Sequence, residues 1–172
     1  MEIRQITATD AAAWWALRLR ALRESPEAFG STYDEAAGRP LGVAARRALP
    51  DPDAPDTFTL GAFAPELVGF VGFEREEGRK NRHKGSIWGM FVAPESRGQG
   101  IGRALLAALV ARARQQADLE QIILVVVSEN DAARELYRAF GFTTYGVEPR
   151  SLRDGERYYG EDLMVLWLAP RP

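Results

Sequence analysis

The sequence predicts an α/β fold with a mixed sheet, organised around a parallel βαβ unit. Three observations predict it. Residues 87–92, Ile-Trp-Gly-Met-Phe-Val, read as an apolar strand that breaks at Pro94 and crosses a turn holding Gly98, Gly100 and Gly102. The next stretch, 97–117, carries Ile101, Leu105, Leu109 and Ala113 four residues apart, with Leu106 and Val110 beside them. That is one apolar helical stripe, leaving Arg103, Arg112 and Arg114 on the wetter side. Residues 121–128, Gln-Ile-Ile-Leu-Val-Val-Val-Ser, then form a continuous β-branched run, which reads as a strand covered on both faces. Strand, helix and buried strand cross over right-handed and leave the two strands parallel.

The remaining elements follow in order. Glu2 to Ile6 is a short strand, and Thr9 or Asp10 caps a helix reaching about Arg23. Its Trp15, Leu19 and Leu22 stripe, with Trp14, Leu17 and Ala21 alongside, faces the core. Pro26 starts a second helical region through Phe29, Tyr33, Asp34 and Glu35 that ends near Pro40, and a third short helix covers Gly42 to Ala48. The run from Pro50 to Asp56 is a turn-rich loop. Thr57 to Phe63 and Leu67 to Glu76 form a hairpin through Pro65, and a charged segment up to Lys84 joins it to the strand at 85–92. Asn130 caps a helix whose Ala133, Leu136, Tyr137 and Phe140 share a face, and Gly141 with Phe142 reads as its glycine stop and apolar staple. A strand near 143–149, a loop around Asp154 and Gly155, and a strand from Tyr158 to Leu168 complete the chain.

Composition bounds the function. A chain of 172 residues with 46% hydrophobic residues is most simply one domain with a sizeable core. A net charge of −2 supplies no field for nucleic acid or an anionic membrane. No run of 18 apolar residues is present, and the polar start Met-Glu-Ile-Arg-Gln is unlike a signal peptide. With no cysteine, thiol nucleophiles, disulfides and thiolate metal sites are excluded, and a single histidine, His83, argues against a Ser-His-Asp hydrolase or a histidine metal centre. These readings describe a cytoplasmic protein that needs no metal, and a homodimer is compatible with all of them.

The glycine turn carries the chemistry. Removing side chains at Gly98, Gly100 and Gly102 bares backbone N–H groups at a helix N-terminus, where the macrodipole favours phosphate. A nucleotide P-loop fails, because no Lys follows these glycines, and a dinucleotide fingerprint fails because Arg103 stands at the third glycine. The spacing Arg97-x-x-Gly100-x-Gly102 instead resembles the pyrophosphate signature of the GNAT superfamily, the acyl-CoA-dependent N-acetyltransferases. Asn130-x-x-Ala133-x-x-Leu136-Tyr137-x-x-x-Gly141-Phe142 is similar to the second signature of that family. Both occur in the right order on consecutive βα units, over residues 87–142. The resemblance implies the GNAT fold: a central, mostly antiparallel mixed sheet with a parallel βαβ core and helices on both faces.

It also implies acetyl-CoA as cosubstrate and a primary amine as acceptor, and the aromatics and acids of the acceptor side suit a small amine-bearing molecule. The backbone of Gly98, Gln99, Gly100, Ile101, Gly102 and Arg103 would hold the pyrophosphate, helped by the Arg97 and Arg103 side chains. Met90, Phe91 and Val92 would run along the pantetheine arm, with an oxyanion donor at the Val92 end of the strand. Asn130 reads equally as helix cap and as cofactor contact. Tyr137 is the implied general acid, since a phenol titrating near about 10 can hand a proton to a thiolate near about 8.5. For the base, Glu74 comes first and Glu76 second, both near the end of the strand at 67–76; His83 is a poor candidate, and solvent can also take the proton. The acceptor groove is expected between Glu27–Asp34 and the loop around Arg150–Asp162, with Phe29, Tyr33, Arg153, Tyr158, Tyr159 and Glu161 nearby. A protein or peptide N-acetyltransferase and a catalytically idle acyl-CoA-binding module are the alternatives.

Overall fold

Apolar and β-branched runs become strands, and capped amphipathic runs become helices. In the computed structural model, which describes residues 1–168, the order is β1 (Glu2–Gln5), α1 (Ala11–Glu24), α2 (Tyr33–Ala37), α3 (Leu41–Ala44), β2 (Phe58–Phe63), β3 (Leu67–Arg75), β4 (Lys84–Val92), α4 (Ile101–Ala113), β5 (Gln121–Val127), α5 (Asp131–Ala139), β6 (Thr143–Asp154) and β7 (Arg157–Trp167). The strands of the described residues join one sheet in the order β1-β2-β3-β4-β5-β7-β6. Its β4–β5 pair is parallel and the other neighbours are antiparallel.

Each face of the sheet has its own core. On one, Trp14, Leu17, Ala21 and Ala45 pack over Ile6, Phe70 and Phe91, with the Trp14 and Phe70 rings edge to face at 5.8 Å. On the other, Leu105, Leu106, Leu109 and Tyr137 cover Phe58, Val71, Phe73 and Ile122. The mixed sheet with helices on both faces is therefore observed as expected.

Several local expectations change. The helix read from 97 begins only at Ile101 and ends at Ala113, because Gly98 and Gly100 take φ of +74° and +77°, outside the right-handed helical region. On α1 the buried residues are Trp14, Leu17, Ala21 and Leu22; Trp15 and Leu19 lie only partly buried at the margin. Asp10 precedes α1, but its carboxylate turns back to the Thr7 N–H at 2.9 Å and to both Arg4 Nη atoms at 2.7 and 2.8 Å. Strand β6 runs on to Asp154, pairing with Arg157 across a two-residue turn. The cover expected over both faces of β5 is incomplete: Val125 is 53% exposed. The core beneath α1–α3 draws its sheet residues from β3 and β4, so those helices stop short of β5.

One buried carboxylate ties the second half of the fold together. Asp162 of β7 accepts from Ser128 Oγ at 2.6 Å, Arg134 Nε at 3.0 Å and Thr144 Oγ1 at 3.3 Å, joining β7 to the end of β5, to α5 and to β6. The Ser128 hydrogen bond, with Arg134 and Thr144 adding, holds its carboxyl below the usual carboxylate range. A depressed pKa stabilises the fold fully above the unfolded value near about 4 and ceases to do so as pH falls through the lower folded value. Asp162→Ala is expected to cost about 3 kcal/mol in urea unfolding at neutral pH, since Arg134 would be left without its buried partner. Asp162→Asn should lose the part of the acid-limb slope that lies below about pH 4.

Candidate active-site cleft

The cleft exists because β4 and β5 stop pairing. Their parallel ladder covers only Lys84 to Ser86 against Gln121 to Ile123. Toward β3, Phe91 faces Phe70 and Trp88 faces Gly72, so β4 holds one residue more than its partner over that span. The extra residue falls at Gly89 and Met90, where Gly89 takes φ +63°, a bulge that bends the strand. Ala93 N–H donates to the Val68 carbonyl, so alternation turns the backbone groups of Val92 and Met90 away from β3 toward the opened edge. Between the parted strands lies a cavity of about 100 Å³ bordered by Trp88, Gly89, Met90, Leu124, Val127 and Tyr137.

At the far end of β4 stands the glycine loop. Gly100, left-handed, is the N-cap of α4. No backbone acceptor takes the N–H groups of Gly98 to Arg103 among the described residues. A Cβ placed on Gly98 or Gly100 would meet nothing within 4 Å, so the space before the loop is open. Arg20 fixes the turn before it, bonding both Glu95 oxygens at 2.6 and 2.7 Å and holding that carboxyl down to about 2. Arg97 Nε donates to the Val92 carbonyl at 3.0 Å, so one of the groups expected along the pantetheine carries a side-chain partner here.

The opposite wall is α5. Asn130 Oδ1 accepts from Ala133 N–H at 3.2 Å, which establishes the cap. Gly141 and Phe142 close the helix with bonds to the Arg138 and Tyr137 carbonyls, the paired bonds of a Schellman stop. Tyr137 is buried, edge to face with Phe142 at 5.8 Å, and its hydroxyl donates to Met90 Sδ at 3.5 Å. Burial pushes the phenol up to about 12.

A cleft of about 890 Å³ connects loop, strand and helix, and its walls include Met90, Phe91, Val92, Arg97, Gly98, Gly100, Ile101, Gly102, Arg103, Asn130 and Tyr137. Two expected residues stand apart from those walls. The side chain of Gln99 turns to the Glu95 carbonyl, and Glu74, opposite Ser86, bonds Arg47 Nη2 at 2.8 Å. Glu76 accepts from Ser86 Oγ, while His83 borders a separate recess with Asp56 and Arg75.

The acceptor-side residues divide. Glu27, Phe29, Tyr33, Asp34, Arg153 and Tyr159 line a groove of about 500 Å³ between the segment after α1 and the β6–β7 turn. Glu27, Phe29 and Tyr159 line the cleft as well, so the two spaces meet there. Asp162 belongs to the buried network instead, and Glu161 accepts from Ser151 Oγ. The bulge at Gly89 and the contributions of Val127, Ala133 and Leu136 to the cleft were not anticipated. A lone glycine inside an apolar strand was the available signal for the bulge.

Residues 14–142 match the family model described as the acetyltransferase (GNAT) family. The chain is 34% identical over 141 residues to the mycothiol acetyltransferase of Thermobispora bispora, covering 81% of this chain and 45% of that one. It is 38% identical over 87 residues to the N-alpha-acetyltransferase RimI of Mycobacterium tuberculosis, covering 51% of this chain and 52% of that one. The chain thus spans about half the length of these curated relatives. Among solved structures, the ribosomal-protein-alanine N-acetyltransferase from Brucella melitensis superposes with TM-score 0.80 at 24% identity, covering 97% and 99% of the two chains. A putative acetyltransferase from Salmonella typhimurium with its cofactor acetyl-CoA gives 0.79 at 21% identity, covering 100% and 96%. At these identities the structural likeness concerns the fold.

The environment of Tyr137 has a direct spectroscopic consequence. In protein labelled at tyrosine Cζ, the resonance missing from Tyr137→Phe should still report a neutral phenol at about pH 11, where an ordinary tyrosine is mostly ionised. Titration near the ordinary value would show that the ring is hydrated.

Proposed function

Because the chain belongs to the acetyltransferase (GNAT) family, we propose that it transfers an acetyl group from acetyl-CoA to a primary amine carried by a small molecule. The observation that carries this reading is the cleft: bare N–H groups at one end, a buried phenol at the other, and an unpaired strand edge between them. The acyl donor, when bound, supplies an activated thioester carbon. The loop fits its pyrophosphate, since glycines at 98 and 100 leave the N–H groups uncovered and Arg97 and Arg103 add positive charge. Met90 and Val92 offer ladder groups to an amide-bearing arm. The bulge turns the Met90 N–H at the point where the strands part, so it succeeds Val92 as the candidate oxyanion donor.

Tyr137 Oη is the proton source for the leaving thiolate. Its high pKa keeps it protonated at neutral pH, and the same apolar surroundings destabilise a thiolate, raising its proton affinity too. Its hydroxyl already directs its proton to a sulfur, that of Met90. For the amine proton we favour Glu27 over Glu74, since Glu27 lines both cleft and groove while Glu74 is bonded to Arg47 outside them. A cytoplasmic setting accords with the cosubstrate, and no described helix is long and apolar enough to cross a membrane. Acetylation of a peptide N-terminus is the second reading, favoured by the similarity to RimI.

Acetyl-CoA should raise the melting temperature in proportion to ln(1 + [L]/Kd), by the equivalent of about 2.7 kcal/mol at 100-fold excess over Kd, whereas NAD and ATP should not. Gly100→Val, which forces a branched residue to φ +77° at a cost of roughly 1–2 kcal/mol, should abolish that shift while circular dichroism stays native. Normal binding by this variant would mean that the loop is misassigned. For turnover, Tyr137→Phe should lower kcat about 10²–10⁴-fold with little change in acetyl-CoA affinity; a decrease of a few-fold would leave the ring a packing residue. Glu27→Gln should remove the ascending limb of the kcat/KM profile and Glu74→Gln should keep it. The reverse pattern would restore Glu74 as the base.

A further inference from the structure

Behind the bulge lies a partly buried cation with no anion beside it among the described residues. Arg18 sits on α1 one turn after Trp14, on the side that packs against the sheet. Its Nη1 is shut off from solvent and has no hydrogen-bond partner among the described residues. The guanidinium lies over the Phe29 ring at 4.4 Å, and among the described residues the charge acting on it is repulsive, from Arg47. Arg47 itself is bonded to Glu74 and stacked on Trp88 at 4.3 Å. Burying a guanidinium without a carboxylate is unfavourable. Desolvation accordingly drives its pKa down to about 10, with Arg47 adding.

The surroundings supply further unpartnered donors. Trp14 Nε1 and Trp88 Nε1, in the same cluster with rings 6.4 Å apart, are also buried and unpartnered. Arg18 Nη1 would stand 3.8 Å from a Cβ built on Gly89, so it adjoins the bulge of β4 beyond the last pairing with β5. Phe29, beneath the guanidinium, borders the cleft, the groove and the small cavity between the strands. The cation therefore stands directly behind Phe29 and Gly89, which border the space an amine must enter.

We propose that Arg18 binds a carboxylate of the acceptor, making this chain an acetyltransferase of small amino acids or similar amine-bearing carboxylates. A guanidinium fork matches a carboxylate in geometry and charge. Gly89 adjoins both the cation and the parting of the strands, so amine and carboxylate are separated by only a few atoms. The peptide-acceptor reading presents a carbonyl at that distance instead, which takes a neutral hydrogen bond and no ion pair. Arg18 is here a specificity determinant and holds no reacting atom.

This inference rests on the acetyltransferase reading, and one experiment separates the two. Acetyl-CoA is first titrated alone by thermal shift; absence of a shift would count against the acetyltransferase reading itself. Trp14 and Trp88 then report binding by fluorescence when the L-amino acids and their matching carboxamides are titrated onto the CoA-bound protein. At least one free acid should quench or enhance emission, its carboxamide should bind about 10–100-fold more weakly, and Arg18→Met should weaken the acid by a similar factor while sparing the amide. Arg18→Lys should recover part of the affinity. Arg18→Met should also melt no lower than the parent, because it removes an uncompensated buried charge. Equal binding of acid and amide, no response to any free acid, or a lowered melting temperature in Arg18→Met would overturn the proposal.

Discussion

The parallel pairing of β4 with β5 for three residues, and its abrupt end, is the constraint on which the rest of the molecule depends. A full ladder from Lys84 to Val92 would bury every backbone group of β4 and leave no cleft. Pairing that stops at Ser86 and Ile123 exposes an edge, and an exposed edge must be managed. Here the bulge at Gly89 turns β4 away, and the Tyr137 ring and Met90 fill the space that opens. The remaining volume is the cleft. Its length follows from the strand: the glycine loop must come where β4 ends, and α5 must start where β5 ends.

A gap in the middle of a sheet needs stiff banks. On one bank β3 and β4 are bonded along their length, and the Arg20–Glu95 pair ties the loop approach to α1. On the other, β5 is bonded to β7 throughout, and Asp162 joins β7 to Ser128, Arg134 and Thr144. Arg134 also donates to the Ser128 carbonyl and to Asp131. The first turn of α5 is thereby held in place, and with it Asn130 at the cleft wall. A surface ion pair contributes little to stability, but this one is partly buried and shares a carboxylate with two hydroxyls. Its effect is chiefly positional.

What was legible in the sequence is what local chemistry decides. Glycines that take positive φ, an asparagine cap and a glycine stop act within a few residues of themselves, so the loop and α5 could be read closely, including ten of the eleven cofactor-side positions now found on the cleft. The parting of β4 and β5 is not written in the spacing of their residues. Glu74 was misplaced because alternation gives a face without saying what covers it, and Arg47, 27 residues earlier in sequence, covers it. Asp162 alternates with Met164 and Leu166, and Arg18 follows Trp14 by four positions on a buried stripe. Both charges therefore sat on apolar faces in plain sight. Whether such a charge is paired within the fold depends on contacts far away in sequence, and there the two differ.

That difference bears on how the charge is used. The chain as a whole is nearly neutral, with a net charge of −2, yet its arginines are not distributed as its acids are. Arg4, Arg20, Arg134 and Arg157 meet carboxylates and hold elements together. Arg18, Arg97 and Arg103, which border the cleft or lie behind it, meet none among the described residues. An exposed arginine such as Arg97 or Arg103 loses little by this, since water solvates it. The Nη1 of Arg18 has no such recourse, and its unfavourable burial is retained by a fold that placed Trp14, Trp88 and Phe29 around it. A charged group kept unsatisfied is more readily explained by what it binds than by what it stabilises. The cleft is thus cationic where the acyl donor carries its phosphates, mixed in charge where the acceptor approaches, with Glu27 on its wall and Arg18 behind it, and apolar in the middle, where the proton must be handed over.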